Sequence, residues 1–322
     1  MGVLFKDNGS WKKHQELAVR KAEGALAVIR KCIYQFNDFP VQLICKIFDS
    51  MIKPIVLYGA EVWGVGKVEG ILNKVEAKFC KEVLGVGRNI STEGALREMG
   101  RKSMIVCVEE RWLVYAWKLR WMPGLRVIQK LCLEESVKVE GGWGNKVSKR
   151  MNELGLKKEW EQILTLKKLK GSLKEKLNSG ELVSDKMSNQ SSLKFYVSLK
   201  VIQQPWYVTN LGRKARSSLA WARLGGWVWQ GQRSEGGRKC PLCGKEDGVT
   251  HIMVECPALM KEREEFERRG YWLEVWNVKH WFSLKDKNML NHLAKFWGSV
   301  REKRGEWVRT NTAIDKGEQE VV

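Results

Sequence analysis

Four metal-ligand side chains stand within a run of seventeen residues: Cys240-Pro-Leu-Cys243, then seven residues to His251 and four more to Cys256. This C-x2-C-x7-H-x4-C array constrains the fold more than any other feature, because groups that share one ion must meet at one point whatever the flanking chain does. Gly244, directly after the second cysteine, lets the backbone turn back tightly over such an ion. Three thiolates and one imidazole close a tetrahedron around Zn2+, with a net charge of about −1 and no open position for water. The array therefore predicts one structural ion, not a catalytic one.

Cys32, Cys45, Cys80, Cys107 and Cys132 are scattered singly through apolar, helix-like stretches and read as small buried hydrophobes. With no secretory signal visible, the eight cysteines favour a metal site over a disulfide framework and an intracellular setting, nucleus or cytoplasm. No stretch reaches the roughly 18 apolar residues of a membrane span.

The 322 residues carry 57 Lys+Arg against 37 Asp+Glu, a formal net charge of +20, and are 43% hydrophobic. That composition is a folded body bearing excess positive charge, which makes RNA or DNA the expected partner ahead of a membrane surface. The excess is concentrated. Residues 141–180 hold ten basic against four acidic side chains, and residues 210–239 hold seven against one. The second block comprises Arg213, Lys214, Arg216, Arg223, Arg233, Arg238 and Lys239 and runs straight into the cysteine array. Trp221, Trp227 and Trp229 are interleaved with it. Arginine can grip phosphate bidentately and exposed tryptophan can stack on an unpaired base, so these arginines and lysines, with Trp227 and Trp229, are candidate nucleic-acid contacts. Trp221 is read as core. The lysines of 157–170 are read as the solvated face of an amphipathic helix.

Apolar spacing points to a mainly α fold. Val3-Leu4-Phe5 reads as a short strand, and Ser10 as the cap of a helix with an apolar line through Ala22, Leu26, Ile29 and Ile33. Pro40 marks the next helix start, followed by a stripe through Ile44, Ile47, Phe48, Met51, Ile52 and Ile55 and a kink at Pro54. Further stripes run through Ile71, Val75, Phe79 and Val83 and from Trp112 to Leu119. Gly141-Gly142-Trp143-Gly144 and the serine-rich run 178–192 read as linkers. The segments are then 1–65, 66–140, a basic linker region 141–192, and a basic helical region 193–322 that contains the array at 240–256.

Several segments resemble the carboxy-terminal part of reverse transcriptases from non-LTR, LINE-type retrotransposons. Gly2-Val-Leu-Phe5 with Asp7-Asn-Gly-Ser-Trp11-Lys-Lys-His14 resembles the stretch after the polymerase palm, and Lys21-Ala-Glu-Gly-Ala-Leu26 the first thumb helix. Ile47-Phe-Asp-Ser-Met-Ile-Lys-Pro-Ile-Val-Leu-Tyr58-Gly-Ala-Glu-Val-Trp63-Gly64 is similar to the family's thumb. Ala95-Leu-Arg-Glu-Met-Gly100, Arg213-Lys-Ala-Arg-Ser-Ser-Leu219 and the seven-residue gap before His251 also resemble family segments. The resemblance implies a helical thumb-like region, then a helical carboxy-terminal region carrying a zinc knuckle. It adds Lys12, Lys13, Arg20 and Lys21 as contacts to template and primer, and an upstream palm as a partner. Polymerase chemistry needs adjacent aspartates for two metal ions, whereas aspartates stand here only at 7, 38, 49, 185, 247, 286 and 315. No catalytic residues are expected in this chain by itself. An inactive element remnant and a zinc-stabilised protein-interaction module remain the alternatives.

Overall fold

The structure is a computed structural model that describes the chain except residues 1, 8, 36–38, 66–67, 69, 122–126, 128–130, 132–133, 135, 158–161, 163–164, 179–189, 201–202, 235–236, 271–277 and 318–322, and the side chains of 32, 34, 136, 178, 191, 232–234 and 312–317. Cys132, most of the serine-rich run, part of the 157–170 lysine stretch and the side chain of Arg233 lie outside the described residues.

Among the described residues the fold is mainly α. In chain order the α-helices of four residues or more are α1 (Lys12–Gln35), α2 (Val41–Ile47), α3 (Lys53–Val56), α4 (Ala60–Trp63), α5 (Ile71–Leu84), α6 (Thr92–Glu98), α7 (Met104–Trp121), α8 (Trp143–Glu153) and α9 (Leu166–Asn178). They continue as α10 (Lys194–Ser198), α11 (Trp206–Asn210), α12 (Arg213–Arg223), α13 (Met260–Glu267), α14 (Val278–Trp281) and α15 (Lys287–Gly317). One antiparallel hairpin, β1 (Gln232–Ser234) with β2 (Gly237–Lys239), lies between α12 and α13. Among the described residues no helix is long and apolar enough to cross a membrane. The chain groups into two compact units, Met1–Lys31 with Ile44–Glu76 and Lys102–Val183, and Cys32–Leu43 with Ala77–Arg101 and Ser184–Val322.

In the first unit, Ala18, Ala22, Leu26 and Ile29 form the buried line of α1. Val3–Phe5 is not a strand. It has no strand partner among the described residues, and the Leu4 N–H donates instead to Nδ1 of His14 at 3.3 Å. His14 is buried with its ring edge on Trp63. Between α2 and α3 the chain widens into a π turn, Phe48–Ile52. Widening the turn changes which residues share a face: Ile44, Phe48, Ile52 and Val56, at steps of four, are buried, whereas Met51 is 60% exposed. Pro54 lies in the first turn of α3, where its missing N–H is harmless. Close packing of α4 on α7 depends on Gly64, since a Cβ there would stand 2.6 Å from the Val108 side chain.

The second unit is built around α12, which is buried on nearly every side and packs along α15. Trp221, Phe282, Phe296 and Trp297 meet at ring separations of 5.8 to 6.2 Å, and Phe266 joins them against Trp281 and Phe296. Buried polar groups hold the rest in register. Glu98 accepts from the Tyr207 hydroxyl and from Nε of Arg223 at 2.5 Å, while Nη1 of Arg223 donates to the Phe282 carbonyl at 2.7 Å. The rings of Tyr196 and Tyr207 flank this guanidinium at 5.9 and 5.6 Å. Burial, then the charge of Glu98, pushes both tyrosine pKa values well above their ordinary range. Burial works against the Arg223 charge, but Glu98 together with Tyr207 and Tyr196 more than offsets it and raises its pKa.

Candidate metal centre and basic surfaces

The four ligands are assembled by short-range backbone geometry. The hairpin pairs Gln232 with Lys239 and delivers the chain to Cys240. The Cys240 N–H then donates to the Lys245 carbonyl at 2.7 Å and the Gly244 N–H to the Cys240 carbonyl at 2.8 Å, which folds residues 240–245 into a tight loop. Gly244 sits at φ +76°, a left-handed position that favours glycine. Downstream, His251–Glu255 forms a second π turn, and the Cys256 N–H donates to the His251 carbonyl at 2.7 Å. That turn brings His251 and Cys256 to the same point.

All four ligand atoms lie within 4.8 Å of one another. Cys240 Sγ is 3.9 Å from Cys256 Sγ, Cys256 Sγ is 3.8 Å from Cys243 Sγ, and Cys243 Sγ is 3.2 Å from Nε2 of His251. A tetrahedron with zinc–sulfur bonds of about 2.3 Å has sulfur–sulfur edges of about 3.8 Å. The cluster can therefore hold one metal ion, and its donor set and spacing are compatible with zinc. Cys240, His251 and Cys256 are buried and Cys243 is partly exposed, so four protein ligands would enclose the ion. Without metal, burial and then the neighbouring Cys240 push the Cys256 thiol up to about 12, and burial also raises Cys240.

A residue that the local pattern does not announce sits behind the cluster. Arg304, on α15, is fully buried. Its Nη1 donates to Asp247 Oδ1 at 3.0 Å and its Nη2 to Asp247 Oδ2 at 2.6 Å, a fork-to-fork pair. Nη1 also reaches Cys240 Sγ at 3.8 Å, and Nη2 donates to the Trp227 carbonyl at 3.1 Å. One guanidinium thus ties α15 to the cysteine loop and places positive charge beside a cluster that would be anionic when loaded. On the other side, Glu255 lies 3.6 Å from Nδ1 of His251.

The sequence-predicted nucleic-acid contacts divide sharply. Arg216, Arg223 and Trp227 are buried, and the structure corrects their assignment. Arg216 donates to the carbonyls of Val83, Val208 and Leu211 at 2.9 to 3.3 Å, closing the ends of α5 and α11. Arg223 is held by Glu98, and Trp227 belongs to the core under Arg304. Lys214 and Lys239 are exposed, Arg213 and Arg238 are partly exposed, and Trp229 is 51% exposed; all five belong to the second unit. Lys12, Lys13, Arg20 and Lys21 are exposed on α1, in the first unit. Lys31 stands in line with Lys13 and Arg20 on the same face of α1 and is an exposed cation that the sequence reading missed.

No protein-family model, curated protein or solved structure matches this chain.

Proposed function

We propose that this chain is the non-catalytic carboxy-terminal region of a LINE-type reverse transcriptase, which binds RNA or DNA through basic surfaces supported by a structural zinc knuckle at Cys240, Cys243, His251 and Cys256. The observation that carries the reading is that Lys214, Lys239 and Trp229 remain exposed in the unit that gathers the four ligands, while the neighbouring Arg216, Arg223 and Trp227 form its interior. The interior cations and aromatics fix the body, and the exposed ones offer charge and a stacking face to a phosphate backbone. The resemblance at Ile47–Gly64 and at Arg213–Leu219 supports the same assignment. Binding of this kind contacts phosphates more than bases, so its affinity falls with salt. Titration of a single-stranded RNA at two salt concentrations tests it; absent binding at low salt, or binding indifferent to salt, overturns the reading.

A contact to protein is favoured by a separate observation. Phe5, Met51 and Val62 in the first unit are between 50% and 69% exposed, an apolar exposure that a polymerase palm packed on a thumb would cover. Association that survives nuclease treatment supports this second role.

A further inference from the structure

We infer that the groove between α12 and α15 is a track for the phosphodiester backbone of a nucleic-acid strand, RNA or DNA. This rests on the nucleic-acid reading above and gives it a place. The groove has a volume of about 990 Å³ and is lined by Arg213, Lys214, Arg301 and Arg309 against one carboxylate, Glu302. On α15, Gly298, Arg301, Glu302, Gly305 and Arg309 fall at i, i+3, i+4, i+7 and i+11, one continuous face of the helix. At 1.5 Å per residue that face is about 16 Å long. A stacked strand rises about 3.4 Å per nucleotide along its axis while its backbone winds round that axis with phosphates farther apart than this, so the track matches at most about five nucleotides and is longer than a single small anion needs.

Two details fit a backbone in particular. Arg301 is half-buried over the Trp221 ring at 5.8 Å, with Nη1 donating to Ser217 Oγ at 3.1 Å, and forms no ion pair with a carboxylate among the described residues. Burial lowers its pKa with no carboxylate to offset it, the position of a cation whose counter-charge comes from outside. Along the same wall, Gly298 and Gly305 leave main chain uncovered. A Cβ at either would meet one polar side-chain atom at 3.4 Å, Ser218 Oγ or Gln230 Nε2, so the glycines are not required by packing and open the groove to close approach.

The test uses the full chain with K214Q, R309Q and R301Q, and R301K as the variant that keeps charge over Trp221. Binding of a single-stranded RNA and of a DNA of the same sequence is measured across salt. Each neutral substitution is expected to weaken binding about tenfold at low salt and to reduce the slope of log K against log salt by about 0.7, with R301K near wild type. Lys214 and Arg309 lie at the rim, so K214Q and R309Q report binding even where R301Q loses stability. Comparison of the RNA and DNA arms identifies the strand the track accepts. Wild-type binding with K214Q and R309Q unchanged in affinity and slope overturns the groove while the nucleic-acid reading stands. No wild-type binding in either arm overturns both.

Discussion

Arg304 and Asp247 are both fully buried at the side chain, and a buried charge persists only where its partner and hydrogen bonds compensate for lost water. Arg304→Met leaves Asp247 unpaired in the interior and removes the donor beside Cys240. The expected loss is about 3–5 kcal/mol in denaturant unfolding, with metal affinity weaker by about 10–100-fold, because groups behind the ligands orient them. The double variant R304M/D247L removes both charges and is expected to recover most of the stability but not the affinity. Recovery of both would mean that the pair does nothing for the metal centre. At this scale the sequence was partly legible. Four ligands within one short run declare themselves because the geometry that joins them is local. Arg304 lies 48 positions beyond Cys256 and only the packing of α15 brings it back. Arg216 and Arg223 read as surface cations because charge defaults to water, although their spacing with Leu219 and Ala220, at i, i+3, i+4 and i+7, already placed them on the apolar face of α12.

Elements were legible where one face is buried over several turns, as in α1, α5 and α7, and misread where a local choice depended on a distant partner. Val3–Phe5 has strand-like residues but, among the described residues, no strand beside it. The stripe through Met51 assumed 3.6 residues per turn, and the π turn at Phe48–Ile52 rotated Met51 to the surface. The end of α12 shows the opposite dependence. Gly225 has φ +69°, and a Cβ there would stand 1.9 Å from the Ser192 carbonyl oxygen, a main-chain atom with little room to move. Gly225→Ala therefore adds a left-handed penalty of about 1–2 kcal/mol to a backbone clash, and a total destabilisation above about 2 kcal/mol is expected. Hydrogen exchange should show the loss as faster exchange of the Leu224 and Val228 amides, which donate to Ala220 and Gly225 carbonyls at 3.0 and 3.1 Å. Wild-type protection in the alanine variant would refute the assigned close approach.

At the scale of the whole molecule, the candidate metal cluster is tied to the long helix, since the same guanidinium grips Asp247, the Trp227 carbonyl and Cys240. Occupancy of the four ligands should therefore register along α15 as well as in the cysteine loop, and its pH dependence has a definite sign. Burial raises Cys240, and raises Cys256 to about 12, so at neutral pH the metal-free cluster keeps both protons and a bound ion must displace them. Loss of at least these two protons makes metal affinity rise at least about 100-fold per pH unit across roughly pH 6 to 8. Without metal the sign reverses. A thiol whose folded pKa lies above its unfolded value contributes stability that is complete below about pH 8.5 and is lost as pH climbs toward 12. Loaded protein should thus gain resistance to chelators and to unfolding from pH 6 to 8, while chelated protein loses stability from about pH 9 upward. Zinc content by elemental analysis, with unfolding midpoints across this range, checks both limbs. An affinity flat with pH would show that the thiols are already ionised and that the cluster is not the closed, buried site its geometry describes.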